Sequence, residues 1–282
     1  MGRPYPYTKN FYTFHYETQV DQITDPYPGT CTWIPETAVF KNWIAGEKSR
    51  VYWIHGSPGL GKSVIAKYLL QAVSNSFTMK NLEITMLYFF CSYRDIASRS
   101  INSLISSLIH QLLDKMPILP FAAILGKSRL KDAFGNYIVP DVDDVRFLLG
   151  VLTELIENFS RRYTPDAANF YIVIDAVDEL NESQWGTLFK LVNEIDSSSN
   201  WMKNVRILIT SRAEPAIEKQ LGGKWCMDLG SGASNLADVA RYVRGTVSDY
   251  GRENNFGPER TENIVSELIT RSEGMFLWAS LA

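Results

Sequence analysis

Residues 56–63 read GSPGLGKS and fit the pattern G-x-x-x-x-G-K-[ST] at every fixed position. The chemistry open to such a run is polyphosphate binding. Gly59 and Gly61 admit backbone conformations closed to residues with a Cβ. Successive N–H groups can then turn inward as a nest for an anion, and a helix starting near Lys62 would add the positive end of its dipole. Lys62 would reach the β- and γ-phosphates of a nucleoside triphosphate and Ser63 would ligate Mg2+, with Gly56, Ser57, Pro58, Leu60 and Val64 completing the wrapping segment. The plainer alternative is a glycine turn between a strand and a helix, with a solvated lysine.

Two further runs end in residues able to join that site. In YIVIDAVDEL (171–180) an apolar strand delivers Asp175 at its C-terminal end, the edge of a parallel sheet where ligands bind. An aspartate there can hold magnesium; it can also simply cap the following loop. Ala176 occupies a position where many phosphate-loop ATPases place a glutamate, so the candidates for orienting an attacking water are Asp178, favoured slightly, and Glu179. Both acids would equally suit the start of the helix that follows. In VRILITSR (205–212) a third strand ends in Thr210, Ser211 and Arg212, and the Arg212 fork could sense a γ-phosphate or stand on the surface. His55 either lies near the phosphates or just ends its strand. Arg94 and Arg99 either face a neighbouring subunit or are solvated.

The elements that must carry these residues are alternating strands and helices. Apolar runs at 51–55, 84–91, 171–175, 205–210 and 225–229 read as strands buried on both faces. Apolar stripes at three- and four-residue spacing predict helices after the glycine loop and over 99–115, 142–159 and 184–196. The alternation implies a parallel sheet covered on both sides, a three-layer α/β/α fold. From about residue 230 only helical patterns remain, roughly 235–248 and 259–272, then GMFLWASLA. The expected division is an N-terminal arm (1–28), a nucleotide-binding domain (29–230) and the start of a small helical subdomain (231–282). The chain ends within an apolar helical pattern with no stop signal, as a fragment of a longer protein would.

Composition bounds the partners. A net charge of −3 brings no basic surplus for a nucleic-acid partner. Runs such as ILPFAAIL (118–125) are too short to span a bilayer, and the N-terminus has no apolar leader, so a soluble cytoplasmic protein is expected. Cys31, Cys91 and Cys226 form no disulfide framework or zinc spacing. The aromatic N-terminus (Tyr5, Tyr7, Phe11, Tyr12, Phe14, Tyr16) reads as a packed or loose arm.

Taken together, GSPGLGKS, YIVIDAVDEL and VRILITSRAEP resemble the NACHT branch of STAND NTPases, in particular the nephrocystin-like N-terminal NTPase domains abundant in fungi. GTCTWIPETAVFKNWI (29–44), YFFCSYRDIASRSINSLISSLIHQLL (88–113) and EGMFLWASL (273–281) agree, so the resemblance spans about 25–282. It implies a five-stranded P-loop sheet of order 5-1-4-3-2, with ATP or GTP held between that sheet and the helical subdomain. It gives Lys62, Ser63, Asp175, Asp178 and Arg212 the matching roles. It also implies self-association in the triphosphate state, effector and sensor modules on flanking segments or other chains, and a link to fungal heterokaryon incompatibility, innate immunity and cell death. The proline at 215 lies two residues later than in many such chains, which weighs against an adenine contact there.

Three functions follow as expectations. The first is a slow NTPase switch, slow because the acid next to Asp175 is missing. The second is a non-catalytic interaction module in which nucleotide is a structural ligand. The third, a small-molecule kinase, ranks last because no arginine-rich lid follows Arg212.

Overall fold

A computed structural model describes residues 16–46, 48–78, 84–115, 144–162, 169–197 and 205–281. The five strands are β1 (Val51–His55), β2 (Ile84–Phe90), β3 (Asn169–Asp175), β4 (Val205–Ser211) and β5 (Trp225–Asp228). They pair in parallel in the order β2-β3-β4-β1-β5, the expected order read from its other edge. The helices are α1 (Tyr16–Asp21), α2 (Ala38–Ala45), α3 (Lys62–Thr78), α4 (Ile101–Lys115), α5 (Val145–Arg162), α6 (Trp185–Ser197), α7 (Pro215–Leu221), α8 (Ala233–Glu253), α9 (Pro258–Ser272) and α10 (Phe276–Leu281). The first two residues of the expected 142–159 helix, the 118–125 run and the aromatics before Tyr16 lie outside the described residues.

Strand alternation splits the apolar side chains between two layers. Val51 and Trp53 face one core with Leu87, Ile172 and Ile207, covered by α4, α5, α6 and α7. Tyr52 and Ile54 face a second core with Tyr171, Val173 and Leu208, covered by α2 and α3. Both faces of every central strand are therefore dry, which explains runs with no polar alternation. A separate small core of Val239, Val243, Val247 and Val265 joins α8 to α9. Helix α8 begins at Ala233, two residues before the expected 235–248 pattern, and runs on to Glu253.

Two features fix the sheet at its borders. On the outer edge, β2 exposes the backbone of Tyr88 and Phe90, and a glutamine amide meets each. The Tyr88 N–H donates to Gln111 Oε1 at 3.0 Å while Gln111 Nε2 donates to the Tyr88 carbonyl at 2.7 Å. Gln19 of α1 does the same for Phe90, at 3.2 and 2.5 Å. Part of the expected N-terminal arm is thus a packed helix. At the N-terminal ends of β1 and β5, the Asp196 carboxylate accepts from Ser49 Oγ (2.9 Å), the Arg50 N–H (2.7 Å) and Lys224 Nζ (2.6 Å). Arg50 Nη1 also donates to the carbonyls of Ile195 and Asp196.

The segment before α2 lies along α8. Asp238 Oδ2 accepts from the Cys31 N–H at 2.7 Å and from Trp33 Nε1 at 2.9 Å. Tyr27 meets Tyr242 edge-on at 5.6 Å. Residues at the start of the expected 29–230 unit therefore pack on α8, a helix of the expected 231–282 unit.

Candidate functional site

All the candidate residues from the three strand ends meet at the C-terminal edge of the sheet. The glycine loop joins β1 to α3, which starts at Lys62. Gly59 (φ +82°) and Gly61 (φ +85°) take left-handed conformations, as the nest requires. Each glycine is also crowded from outside. A Cβ on Gly59 would stand 3.0 Å from Leu277 Cβ, and one on Gly61 would stand 3.3 Å from Phe276 Cδ2. The Leu277 N–H donates to the Gly59 carbonyl at 3.2 Å, so α10 braces the loop. Leu60 is buried, Ser57 and Pro58 are exposed, and Val64 packs against the second core.

Lys62 folds back on its own loop, donating through Nζ to the carbonyls of Gly56 (2.7 Å) and Ser57 (2.9 Å). Burial lowers its pKa below the ordinary lysine value, while Asp178 and Asp175 pull it upward. An ammonium resting on neutral carbonyls, in a partly desolvated place, is a cation ready for an anionic partner.

Asp175 is 2% exposed, and burial pushes its carboxyl up to about 6 against the lowering influence of the Ser63 and Thr210 hydroxyls and of Lys62. Thr210 donates to it, and the Ser63 hydroxyl stands near enough to lower its pKa. Thr210 also accepts the Ala176 N–H at 2.9 Å. Ala176 holds φ 54° and ψ 48°, a left-handed conformation unfavourable for a residue with a Cβ. The kink turns the chain into the 3-10 turn Val177–Glu179, which sends the two following acids to different partners. Asp178 binds Arg212, with Nε to Oδ2 at 3.0 Å and the Arg212 backbone N–H to Oδ1 at 3.1 Å. Glu179 Oε2 accepts the Tyr93 N–H at 2.6 Å, on the loop after β2.

A buried carboxylate beside a hydroxyl is a donor set suited to a hard divalent ion that takes its remaining ligands from phosphates and water. Ser63 and Asp175 fit magnesium on that ground. No cluster of three or more His, Cys, Asp or Glu suited to a metal occurs among the described residues, and a magnesium site of this type needs none.

The weaker candidates separate from the site. His55 ends β1, stacks on Trp53 with centroids 4.1 Å apart, and turns Nδ1 toward Asp228 at 3.9 Å. Burial lowers its pKa. Arg94 is exposed and lies over the Tyr93 ring. Arg99 Nε is buried with no hydrogen-bond partner among the described residues. Pro215 is the exposed first residue of α7. Sequence reasoning missed the bridging role of Thr210 and the placement of Phe276 and Leu277 on the loop. A hydroxyl at a strand end, one strand from the acid, was the available signal for Thr210. Nothing local marked the other two. No helix among the described residues is long and apolar enough to cross a membrane.

Comparison with known proteins gives consistent matches. Residues 29–212 match the family described as Nephrocystin 3, N-terminal. Vegetative incompatibility protein HET-E-1 of Podospora anserina is 23% identical over 254 residues, covering 88% of this chain and 17% of that protein. Among solved structures, the Aeropyrum pernix ORC2 protein in ADPNP and ADP complexes aligns with a TM-score of 0.48 at 16% identity, over 83% of this chain and 54% of that one. The Walker-type ATPase PABY2304 of Pyrococcus abyssi aligns with a TM-score of 0.47 at 14% identity, over 88% and 66%. The chain thus spans under a fifth of the curated relative and about half of the first of these structures.

Proposed function

The chain belongs to the nephrocystin 3 N-terminal family, and from that premise we propose that it is the nucleoside-triphosphate switch of a NACHT-type signalling protein, slow to hydrolyse its ligand. Nucleotide binding of the NTPase type is the part the family and the fold support directly; the magnesium, the hydrolysis and the signalling role are the proposal. The observation that carries it is the convergence of Lys62, Ser63 and Asp175 on a loop whose Gly59 and Gly61 hold left-handed conformations.

On binding, Lys62 would exchange the Gly56 and Ser57 carbonyls for β- and γ-phosphate oxygens. Ser63 and Asp175 would hold magnesium, which when bound offsets the phosphate charge. In hydrolysis a water oxygen attacks the γ-phosphorus, the bond to the bridging oxygen breaks, and the diphosphate leaves with that bond's electron pair. Asp178, released from Arg212, takes the proton of the water. Turnover is slow because the acid must first lose a partner held by two hydrogen bonds.

A second reading has one observation in its favour. Asp178 and Glu179 are both engaged, on Arg212 and on the Tyr93 N–H, so nucleotide could stabilise an interaction module without turnover. In either case nucleotide-dependent self-association, effector or sensor modules outside this chain, a cytoplasmic setting and a role in vegetative incompatibility like that named for the Podospora relative belong to the same proposal.

The test is a titration of labelled ATP, GTP and their diphosphates against wild type and Lys62→Ala, with magnesium and with chelator, and size exclusion in parallel. Binding lost in the variant and turnover below one per minute support the switch. Binding equal in the two proteins removes it, and rapid sustained hydrolysis rules out a slow timer.

A further inference from the structure

We propose that residues 16–33 act as a clasp between α3 and α8, and that the grip of this clasp is transmitted through α10 to the phosphate loop; the coupling does not require that the loop bind nucleotide. Two buried charges of opposite sign depend on this one stretch of chain. Lys67 stands on α3, the helix that opens at Lys62, and is 7% exposed. Asp238 stands on α8 and is equally buried. Among the described residues, Lys67 Nζ finds its acceptors in the Ile23 carbonyl at 2.6 Å and Asp25 Oδ1 at 2.7 Å. Asp238 Oδ2 meets the Cys31 N–H and Trp33 Nε1. Lifting the segment would strip partners from a shielded ammonium and a shielded carboxylate at once. The front of the clasp is pinned to β2 by the Gln19 amide.

The segment is built to seat on α8. Pro26 and Pro28 stiffen the backbone on either side of Tyr27. Thr30 closes a turn by donating its N–H (2.9 Å) and its hydroxyl (2.7 Å) to the Tyr27 carbonyl. The Tyr27 ring is thereby presented to Gly245, where a Cβ would overlap the phenol oxygen. Asp238, Tyr242 and Gly245 are joined by Arg241, which lies along Gly29. Their three- and four-residue spacing gives one face of α8 to the clasp.

That face leads on to the loop. Tyr242 meets Tyr27 at 5.6 Å and Phe276 of α10 at 5.9 Å between ring centroids. Phe276 fills the space beside Gly61, and the Leu277 N–H binds the Gly59 carbonyl. Asn235 Nδ2 donates to the Gly274 carbonyl at 3.2 Å, just ahead of α10. Helices α8 and α9 share a small core of their own, so the clasp holds α8 from one side and α10 holds it from the other. When the clasp opens, Tyr242 loses a neighbour and α8 can shift, drawing Phe276 and Leu277 off the glycines. A partner that seizes the chain ahead of Tyr16 is felt at Gly59 and Gly61 by this route. Coupling is reciprocal, so a ligand that orders the loop tightens the clasp.

The alternative is a local fastening, with α10 seated on the loop whatever the clasp does. Gly245→Ala separates the two, because alanine favours the helix while evicting Tyr27. Tyr27→Ala empties the seat from the other side. Amide hydrogen exchange is followed by mass spectrometry on wild type and both variants, without nucleotide, over 16–31, over 274–281 and over α6 as a control. The expected result is exchange about tenfold faster over 16–31 and 274–281 together, with α6 as in wild type. Faster exchange over 16–31 with 274–281 unchanged overturns the proposal. So does wild-type exchange over both stretches in both variants, since Tyr27 then holds nothing. If one variant does not fold, the other decides. If neither folds, wild type in rising sub-denaturing urea decides: the two stretches must open in one step, and separate openings end the proposal. A chain that failed to bind triphosphate would remove the proposed function and leave this result standing.

Discussion

The two ends of the sheet each carry a shielded aspartate, and they are built for opposite purposes. At the start of the strands, Asp196 accepts from a hydroxyl, a backbone N–H and an ammonium. Burial works against its ionisation, but the Lys224, Arg50 and Ser49 bonds prevail and hold its pKa below the ordinary carboxylate value. At the strand tips, Asp175 has two hydroxyls and a more distant ammonium, and burial wins, raising it to about 6. Asp196 is a carboxylate with its cation already in place. Asp175 is the one proposed above to meet its cation as magnesium. One joint holds the molecule together, and the other is held in a costly state by the rest of it.

Removing Asp196 should produce the largest effect. Asp196→Ala leaves Lys224 and the Arg50 N–H without their acceptor, and a loss of about 3–5 kcal/mol is expected in urea unfolding. Nucleotide affinity measured well below the transition should stay at the wild-type value; an affinity that fell in step with stability would abolish the division between the two ends. Lys62→Ala should do the reverse. Affinity falls about a hundredfold, or ~3 kcal/mol, while the melting temperature of the nucleotide-free protein stays level or rises, because a partly desolvated cation has gone.

Asp175→Asn sharpens the contrast through pH. The folded protein holds a proton on this carboxyl up to about 6, the unfolded chain only to 3.8, so the folded form binds more protons in between. Stability from this group therefore falls as pH rises from about 4 to 6, and the charged residue costs the nucleotide-free protein up to about 3 kcal/mol above that window. The variant should lose this slope, be more stable than wild type at pH 7.5, and show nucleotide binding indifferent to magnesium. Asp196 has the opposite sign: its contribution is present above 3.8 and disappears as pH falls through its lower folded value, so Asp196→Asn should flatten only the acid limb. The smallest effect is expected from Gly59→Ala, about 1–2 kcal/mol for a left-handed alanine, with Leu277 of α10 forced back from its 3.0 Å approach. A melting curve like wild type there would mean that the loop is looser than its contacts suggest.

How much of this could be read from the chain differs between the two ends. The strand tips were legible because the phosphate loop has fixed spacing and because acids and arginine follow apolar runs directly. Strand order was not in those runs; it came with the resemblance and matches the observed sheet. Asp196 was illegible: it sits at the end of an amphipathic helix like any solvated acid, and its partners lie 28 to 147 residues away. Thr210 and Ala176 fall between. Both stand inside quoted motifs, but the left-handed turn at Ala176 had no glycine or asparagine to announce it. Its N–H is held by Thr210 Oγ1 from the neighbouring strand. The choice between Asp178 and Glu179 likewise depends on partners from two other loops.

The glutamine amides on β2 bear on how copies of this chain can come together. An open outer strand is a template on which another chain can lay a strand of its own. Here the outward groups of Tyr88 and Phe90 are already matched by side chains imitating a neighbouring backbone. Lateral growth of the sheet is blocked along this stretch of β2. The Phe90 half of the block depends on a six-residue helix near the N-terminus. Detaching that helix would uncover an adhesive border open to unpaired strands of other chains.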